Sequence, residues 1–97
     1  MERRIFGRLK KRLLAKVDGV PGVILDLSES GFKMILSKLP KKNRVAMELK
    51  LDGEVFNING LIRWTQRLVS PPNSKCIGIA IKSAPLGYYE WLHRQGT

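Results

Sequence analysis

Cysteine and histidine are almost absent from this chain of 97 residues, which contains one of each, Cys76 and His93. A single cysteine rules out an internal disulfide and, with one histidine, leaves no ligand set of the kind that holds structural zinc. The chain also has no glycine-rich phosphate loop with its lysine, and no conspicuous base to activate Cys76. We therefore predict a packed Cys76, a surface or capping His93, no prosthetic group or metal, and no enzymatic activity.

Long apolar segments are missing as well. No run approaches the roughly 18 residues that a membrane-spanning helix needs, and the charged N-terminus is not followed by the hydrophobic segment of a secretory signal. These absences predict a cytoplasmic protein without a membrane span. An apolar fraction of 43% is ordinary for a globular protein, and a chain of 97 residues is long enough for one domain with one modest core.

Acidic residues are scarce, with 8 Asp and Glu against 18 Lys and Arg, so the net charge is +10. This excess raises the local concentration of anionic partners, whether nucleotide, nucleic acid or lipid headgroup, without choosing among them. Most of the cations fall into two clusters along the chain. The first consists of Arg3, Arg4, Arg8, Lys10, Lys11, Arg12 and Lys16, and the second of Lys38, Lys41, Lys42 and Arg44.

Short segments in which apolar and polar residues alternate account for most of the chain. They predict an all-β fold with a C-terminal helix, in which six short antiparallel strands form a small barrel and the helix covers about residues 84–95. The first strand is expected to begin at Arg12. Residues 1–10 would then form a flexible, arginine-rich N-terminal arm, and residues 11–97 the barrel domain with its helix.

Local signals predict further details of this barrel. Asp52-Gly53 lies between two alternating segments and predicts a two-residue hairpin turn, while Asp18-Gly19 predicts another turn that Pro21-Gly22 reinforces. Gly60 interrupts the longest segment, as a bulge or sharp bend would. If the helix plugs one end or flank of the barrel, Tyr89 and Trp91 should be at least partly buried. Three helix residues are expected to share one face: Leu86, Tyr89 and Leu92.

The stretch from Asp26 to Gly31 carries the most distinctive polar pattern. On a strand, side chains alternate between two faces, so Asp26 and Ser28 should lie together on a surface. The aliphatic residues of opposite parity should be buried: Val23, Leu25 and Leu27. A carboxylate beside a hydroxyl suits a guanine edge, which offers two adjacent N–H donors. Gly31 permits a tight turn or a close backbone approach to a ligand, although the same residues also make ordinary turns at strand ends.

Two short sequence motifs follow one another near the start of the chain. Arg4-Ile5-Phe6-Gly7-Arg8 has the form RxxxR, and Asp26-Leu27-Ser28-Glu29-Ser30-Gly31 has the form DxSxxG. Together they resemble the motifs of the PilZ domain, a bacterial receptor module for the dinucleotide cyclic di-GMP. The resemblance covers nearly the whole chain and implies a small barrel with cyclic di-GMP as its ligand. Residues 8–12 also fit RxxxR, but we prefer the first pair because the family places its arginines before the first strand.

The resemblance also implies a role for each motif residue. Arg4 and Arg8 would contact phosphate oxygens and the O6 and N7 atoms of guanine, for which the arginine fork has the right geometry. Asp26 would accept hydrogen bonds from the guanine N1–H and exocyclic amine, and Ser28 would add another. Gly31 would let the backbone pass close to the ligand.

Five further residues are candidates for the same site. Arg3 adds a third guanidinium, which favours a stacked dimer of cyclic di-GMP over a single molecule. Trp64 either packs in the core, on the side of Phe56, or stacks on a guanine. Arg63, of the opposite parity, either reaches a ligand phosphate or stays in solvent. The other two candidates are Ser30 and Arg12.

The predicted function is therefore a cyclic di-GMP receptor, in which ligand binding folds the arm onto the barrel and changes a surface for a protein partner. Two other functions remain open. One is an adaptor that acts through protein contacts without a ligand, as some members of the family that lack the arginine motif do. The other is a basic barrel that binds nucleic acid. That function calls for aromatic residues on one exposed strand face, whereas Phe32, Phe56 and Trp64 mostly fit the core.

Overall fold

A computed structural model describes residues 9–68 and 74–95, with side chains from Arg12 onward. The described chain forms six strands and one helix: β1 (Leu9–Val17), β2 (Val20–Leu27), β3 (Gly31–Leu36), β4 (Arg44–Leu51), β5 (Glu54–Arg67), β6 (Lys75–Ser83) and α1 (Leu86–Gln95). The strands pair antiparallel and close into a barrel in the order β1-β2-β3-β6-β5-β4, with β4 returning to β1. The predicted all-β fold with a C-terminal helix is confirmed.

The two predicted Asp-Gly turns form hairpins of the same type. Asp18 and Gly19 have φ angles of 50° and 84°, and Asp52 and Gly53 have the same pair of values. Positive φ at both central residues matches the twist of the flanking strands, and Asp followed by Gly tolerates it best. Pro21-Gly22, which we expected to belong to the first turn, instead lies within β2, opposite Lys16 and Ala15 of β1.

Alternating side chains of the strands fill the barrel interior. β4 is the most regular strand, because its residues are exposed and buried in strict turn along its whole length. The buried apolar core combines residues of all six strands and the helix: Ala15, Val17, Ile24, Leu27, Phe32, Met34, Leu36, Val45, Met47, Leu49, Leu51, Phe56, Ile58, Ile77, Ile79, Tyr88, Trp91 and Leu92. Cys76 is also buried, as predicted.

The helix closes one end of the barrel through a face that matches the predicted one only in part, at Leu92. Leu86 is 70% exposed and Tyr89 is half-buried, whereas the buried residues are Tyr88, Trp91 and Leu92. The Tyr88 hydroxyl donates a hydrogen bond to the Ser28 carbonyl at 2.7 Å. The Trp91 indole N–H donates to the Asp52 carboxylate at 2.8 Å. These two bonds fasten the helix to the β2–β3 and β4–β5 turns. His93 lies exposed in the last helical turn.

Irregular pairing breaks the alternation in β2. Ile24 pairs with Met34, but Asp26 pairs with Lys33, so Leu25 is an extra residue. A bulge of this kind reverses which parity faces inward. Ile24 and Leu27 are therefore fully buried, whereas Val23 and Leu25 are only half-buried. The prediction that Val23, Leu25 and Leu27 share the buried face was wrong for this reason.

The described part of the chain shows neither a membrane-spanning helix nor a metal site. Its single helix, Leu86–Gln95, is too short to cross a bilayer. Within residues 9–68 and 74–95, no three His, Cys, Asp or Glu side chains lie close enough together to hold a metal ion.

Candidate functional site

A surface cleft of about 490 Å³ lies where β3, β5 and β6 run side by side and where β2 leads into β3. Its lining consists of Asp26, Ser30, Gly31, Phe32, Lys33, Arg63, Trp64, Gly78, Ile79 and Ala80. Five residues that the sequence singled out as candidates meet here: Asp26, Ser30, Gly31, Arg63 and Trp64. They come from two separate parts of the chain, and the pairing of β6 with both β3 and β5 brings those parts together.

Asp26 owes its position to the bulge at Leu25. After the bulge Leu27 faces the core, and Asp26 is turned to the outer side of the sheet. The residue is nevertheless only 5% exposed, so its carboxylate lies deep in the cleft rather than on an open surface as the alternation predicted. Its Cα lies opposite Lys33 of β3 on one side and Lys10 of β1 on the other.

Ser28 organises the turn between β2 and β3. Its backbone N–H donates to the Gly31 carbonyl at 2.9 Å, and its hydroxyl accepts a hydrogen bond from the Ser30 N–H at 3.3 Å. The two hydroxyl oxygens of Ser28 and Ser30 are 3.3 Å apart. Ser28 is only 1% exposed and does not line the cleft, whereas Ser30 is exposed and does. The hydroxyl that the cleft offers to a ligand is therefore that of Ser30, held in place by Ser28.

Gly31 is required by the neighbouring strand. It pairs with Ala80, and a Cβ on Gly31 would collide with the Ile79 carbonyl oxygen. No positive φ is involved, because the positive-φ glycines of the described chain are Gly19 and Gly53. The glycine of DxSxxG thus lets β3 approach β6 closely, and that approach forms the floor of the cleft.

The sequence allowed Trp64 either in the core or on the surface, and in the structure the residue lies on the surface. Ile62 pairs with Ile79 and Trp64 with Gly78, so Arg63 is an extra residue in β5. Trp64 is 44% exposed, and its indole ring occupies the space where a side chain of Gly78 would be. Arg63 is exposed beside it. The bulge therefore directs a guanidinium and an aromatic ring into the same cleft.

The remaining candidates are Arg3, Arg4, Arg8 and Arg12. Arg3, Arg4 and Arg8 precede the described residues. Arg12 is exposed on β1 and is not among the residues that line the cleft.

Sequence reasoning missed Lys33 and Gly78 as site residues. Strand alternation after Phe32 already placed Lys33 on the outer face, and the Gly in Ile77-Gly78-Ile79 marked a place where a strand accepts a close neighbour. With Lys33 and Arg63 around Asp26, the described side chains give the cleft an excess of positive charge that suits an anionic ligand.

Comparison with known proteins identified no relative of this chain. No protein-family model, curated protein or solved structure matches the chain.

Proposed function

We propose that this protein is a bacterial, cytoplasmic receptor for cyclic di-GMP and a stand-alone member of the PilZ family, which its two motifs resemble. One observation carries the proposal: Asp26 and Ser30 from one part of the chain, and Arg63 and Trp64 from another, line one cationic cleft. These residues offer an acceptor, a hydroxyl, a phosphate-binding fork and a stacking surface, which are the groups that a guanine nucleotide requires.

The start of β1 supports a role for the arginine arm. Leu9, the first residue of β1, has Leu27 as its Cα partner, so the chain enters the barrel next to Asp26. Arg8 is bonded to Leu9, and consecutive Cα atoms are only about 3.8 Å apart. The proposed contact between Arg8 and a ligand in the cleft therefore needs no long loop. This favours Arg4 and Arg8 as the working pair, since Arg12 belongs to β1 itself.

The chemistry of recognition follows from donors and acceptors. Asp26 accepts from the N1–H and amine of one guanine, and the face of Trp64 stacks on a base. Arg63 and Lys33 neutralise phosphate, while Arg4 and Arg8 add bidentate contacts to phosphate or to guanine O6 and N7. Arg3 supplies an additional cation for a second, stacked ligand molecule.

Isothermal titration with cyclic di-GMP tests the proposal most directly. We expect saturable binding that Arg8→Ala weakens about tenfold or more, because a charge-assisted hydrogen bond contributes roughly 1.5–3 kcal/mol. Arg67→Ala is the matched control, since Arg67 is exposed on β5 and does not line the cleft. A ratio of two ligands per chain supports the role of Arg3, and a ratio of one contradicts it. Equal binding of cyclic di-AMP would contradict guanine recognition by Asp26.

In this proposal, the protein transmits the signal through a change in the conformation of its N-terminal arm. Ligand contacts with Arg4 and Arg8 fold it against the barrel, and the new surface is read by a protein partner. Amide hydrogen exchange over residues 1–10 checks this step: we expect slower exchange when cyclic di-GMP is added, and unchanged exchange would contradict arm ordering.

Absence of binding at about tens of micromolar ligand would favour the adaptor, which acts through a protein partner alone. The described residues offer little support for a nucleic-acid-binding barrel, because Trp64 is the only exposed large aromatic among them. Single-stranded nucleic acid is usually held by several stacking side chains.

A further inference from the structure

The end of the barrel opposite α1 carries a second concentration of positive charge. β3 runs from Gly31, beside the turn that Tyr88 contacts, to Leu36, and β4 runs back from Arg44 towards Asp52, which Trp91 contacts. The connection between these strands therefore crosses the far end. Four exposed cations of the connection and of the start of β4 (Lys38, Lys41, Lys42 and Arg44), together with Lys82 of β6, which lines a cleft with Arg44, form what we call the basic end.

Two adjoining clefts make the basic end a continuous surface. One, of about 710 Å³, is lined on its cationic side by Lys42, Arg44 and Lys82. The other, of about 370 Å³, is lined by the connection between Lys38 and Lys42. Lys42 and Asp18 belong to both clefts. Asp18 is the only carboxylate in either lining, and one of its oxygens already accepts the Ala46 N–H at 2.8 Å. The positive charge of this surface is thus largely uncompensated.

An apolar residue lies among these cations. Leu39, with 36% of its surface exposed, is one of few large hydrophobic side chains that the described chain presents to solvent, and Pro40 follows it. Lysines flank the pair on both sides. Such a combination suits the boundary of a bilayer, where a leucine enters the apolar region while lysine stems extend to the headgroups.

We propose that the basic end docks on an anionic lipid surface. Four of its five cations are lysines, which act as hydrated point charges and suit dispersed negative charge better than the bidentate geometry of a single phosphate site. The basic end has no exposed aromatic side chain in the described structure, which disfavours single-stranded nucleic acid. The β3–β4 connection lies at the end of the barrel opposite α1, so docking through it leaves the helix free. This inference does not rest on cyclic di-GMP binding.

Vesicle sedimentation with charge-matched variants tests the proposal. The first variant is Lys38→Gln, Lys41→Gln, Lys42→Gln, and the second is Arg12→Gln, Lys50→Gln, Arg94→Gln, taken from exposed positions towards the α1 end. Each removes three positive charges. The probe is a vesicle of phosphatidylglycerol and phosphatidylcholine in equal parts, with phosphatidylcholine alone as the neutral control.

We expect wild-type protein to bind the anionic vesicles, to ignore the neutral ones, and to dissociate at high salt. Each basic residue near such a surface strengthens binding about fivefold, so the basic-end variant should bind about a hundredfold more weakly. The charge-matched variant should lose less than about tenfold. Equal losses would overturn the proposal, because binding would then follow net charge alone. Tighter binding to a polyanion such as oligothymidylate than to the vesicles would overturn it as well.

Fluorescence of Leu39→Trp provides a second measurement. We expect its emission to shift to shorter wavelength on anionic vesicles, and we expect no shift for Leu86→Trp, an exposed position at the helix end. Difference spectra against wild-type protein remove the signals of Trp64 and Trp91. A shift at position 86 without one at position 39 would mean that the helix end, not the basic end, meets the lipid.

Discussion

β4 and the second half of β5 belong to the same barrel, yet they follow different rules. In β4 every second side chain is buried, and its pairing with β5 runs without interruption from Arg44 to Leu51. The second half of β5 contains a register shift between Ile62 and Trp64, and five consecutive residues from Arg63 are exposed. The regular strand builds the core, whereas the irregular one displays an arginine and a tryptophan. Regular alternation thus serves stability here, and the bulge serves the cleft.

The largest expected effect lies in the regular strand. Leu49 is fully buried on β4, so Leu49→Ala removes packed methyl groups and leaves a cavity. We expect the free energy of unfolding, measured by urea titration, to fall by about 2–5 kcal/mol. The affinity of the remaining folded protein for cyclic di-GMP should not change. A large change in affinity would mean that the core and the cleft are not separable.

A smaller effect is expected for Trp64→Ala, which should act on binding rather than on folding. Stacking on a base is worth about 1–3 kcal/mol, so the dissociation constant for cyclic di-GMP should rise between fivefold and about a hundredfold. Because Trp64 is 44% exposed, the thermal unfolding temperature should change little. Unchanged affinity would remove the stacking role from the proposed site.

Gly78→Ala disturbs the same ring without removing it. A Cβ at this position would collide with the Trp64 indole, which can rotate away because it is partly exposed. We expect Trp64 emission to shift to longer wavelength and ligand affinity to fall, with a stability change of less than about 1 kcal/mol. Ala80→Ser, in the same lining, is a control of similar size that should leave the emission unchanged.

The last change, Tyr88→Phe, affects the residue that links the helix to the β2–β3 turn. The change removes the hydrogen bond to the Ser28 carbonyl but keeps the buried ring, so stability should fall by about 0.5–1.5 kcal/mol. Faster amide exchange at Ser30 and Gly31 would show that the helix steadies this turn. Unchanged exchange there would restrict the bond to a role in stability.

The sequence was sufficient for the regular parts of this molecule. Asp52-Gly53 predicted its hairpin because few residue pairs tolerate two positive φ angles, and strict alternation predicted β4. The bulges at Leu25 and Arg63 could not be predicted, because each depends on the pairing partner in a neighbouring strand. For that reason parity misplaced Val23 and Leu25, and it placed Trp64 on the core side of β5 although the residue is exposed. Asp26, Ser30 and Arg63 could be singled out in the sequence as polar residues at special positions, but their meeting in one cleft required the three-dimensional structure.

The order of the strands also determines how the chain must fold. Closing the barrel joins Ala15 to Leu49 and Leu36 to Lys75, so its decisive pairings connect residues that are remote in sequence. The entropy of closing such loops is lost before the contacts that compensate for it have formed. We therefore expect folding in the range of milliseconds to seconds, which is slow for a protein of this size. During that interval the unpaired edges of β1 and β4 are open to association with other chains, so refolding yield should fall as protein concentration rises.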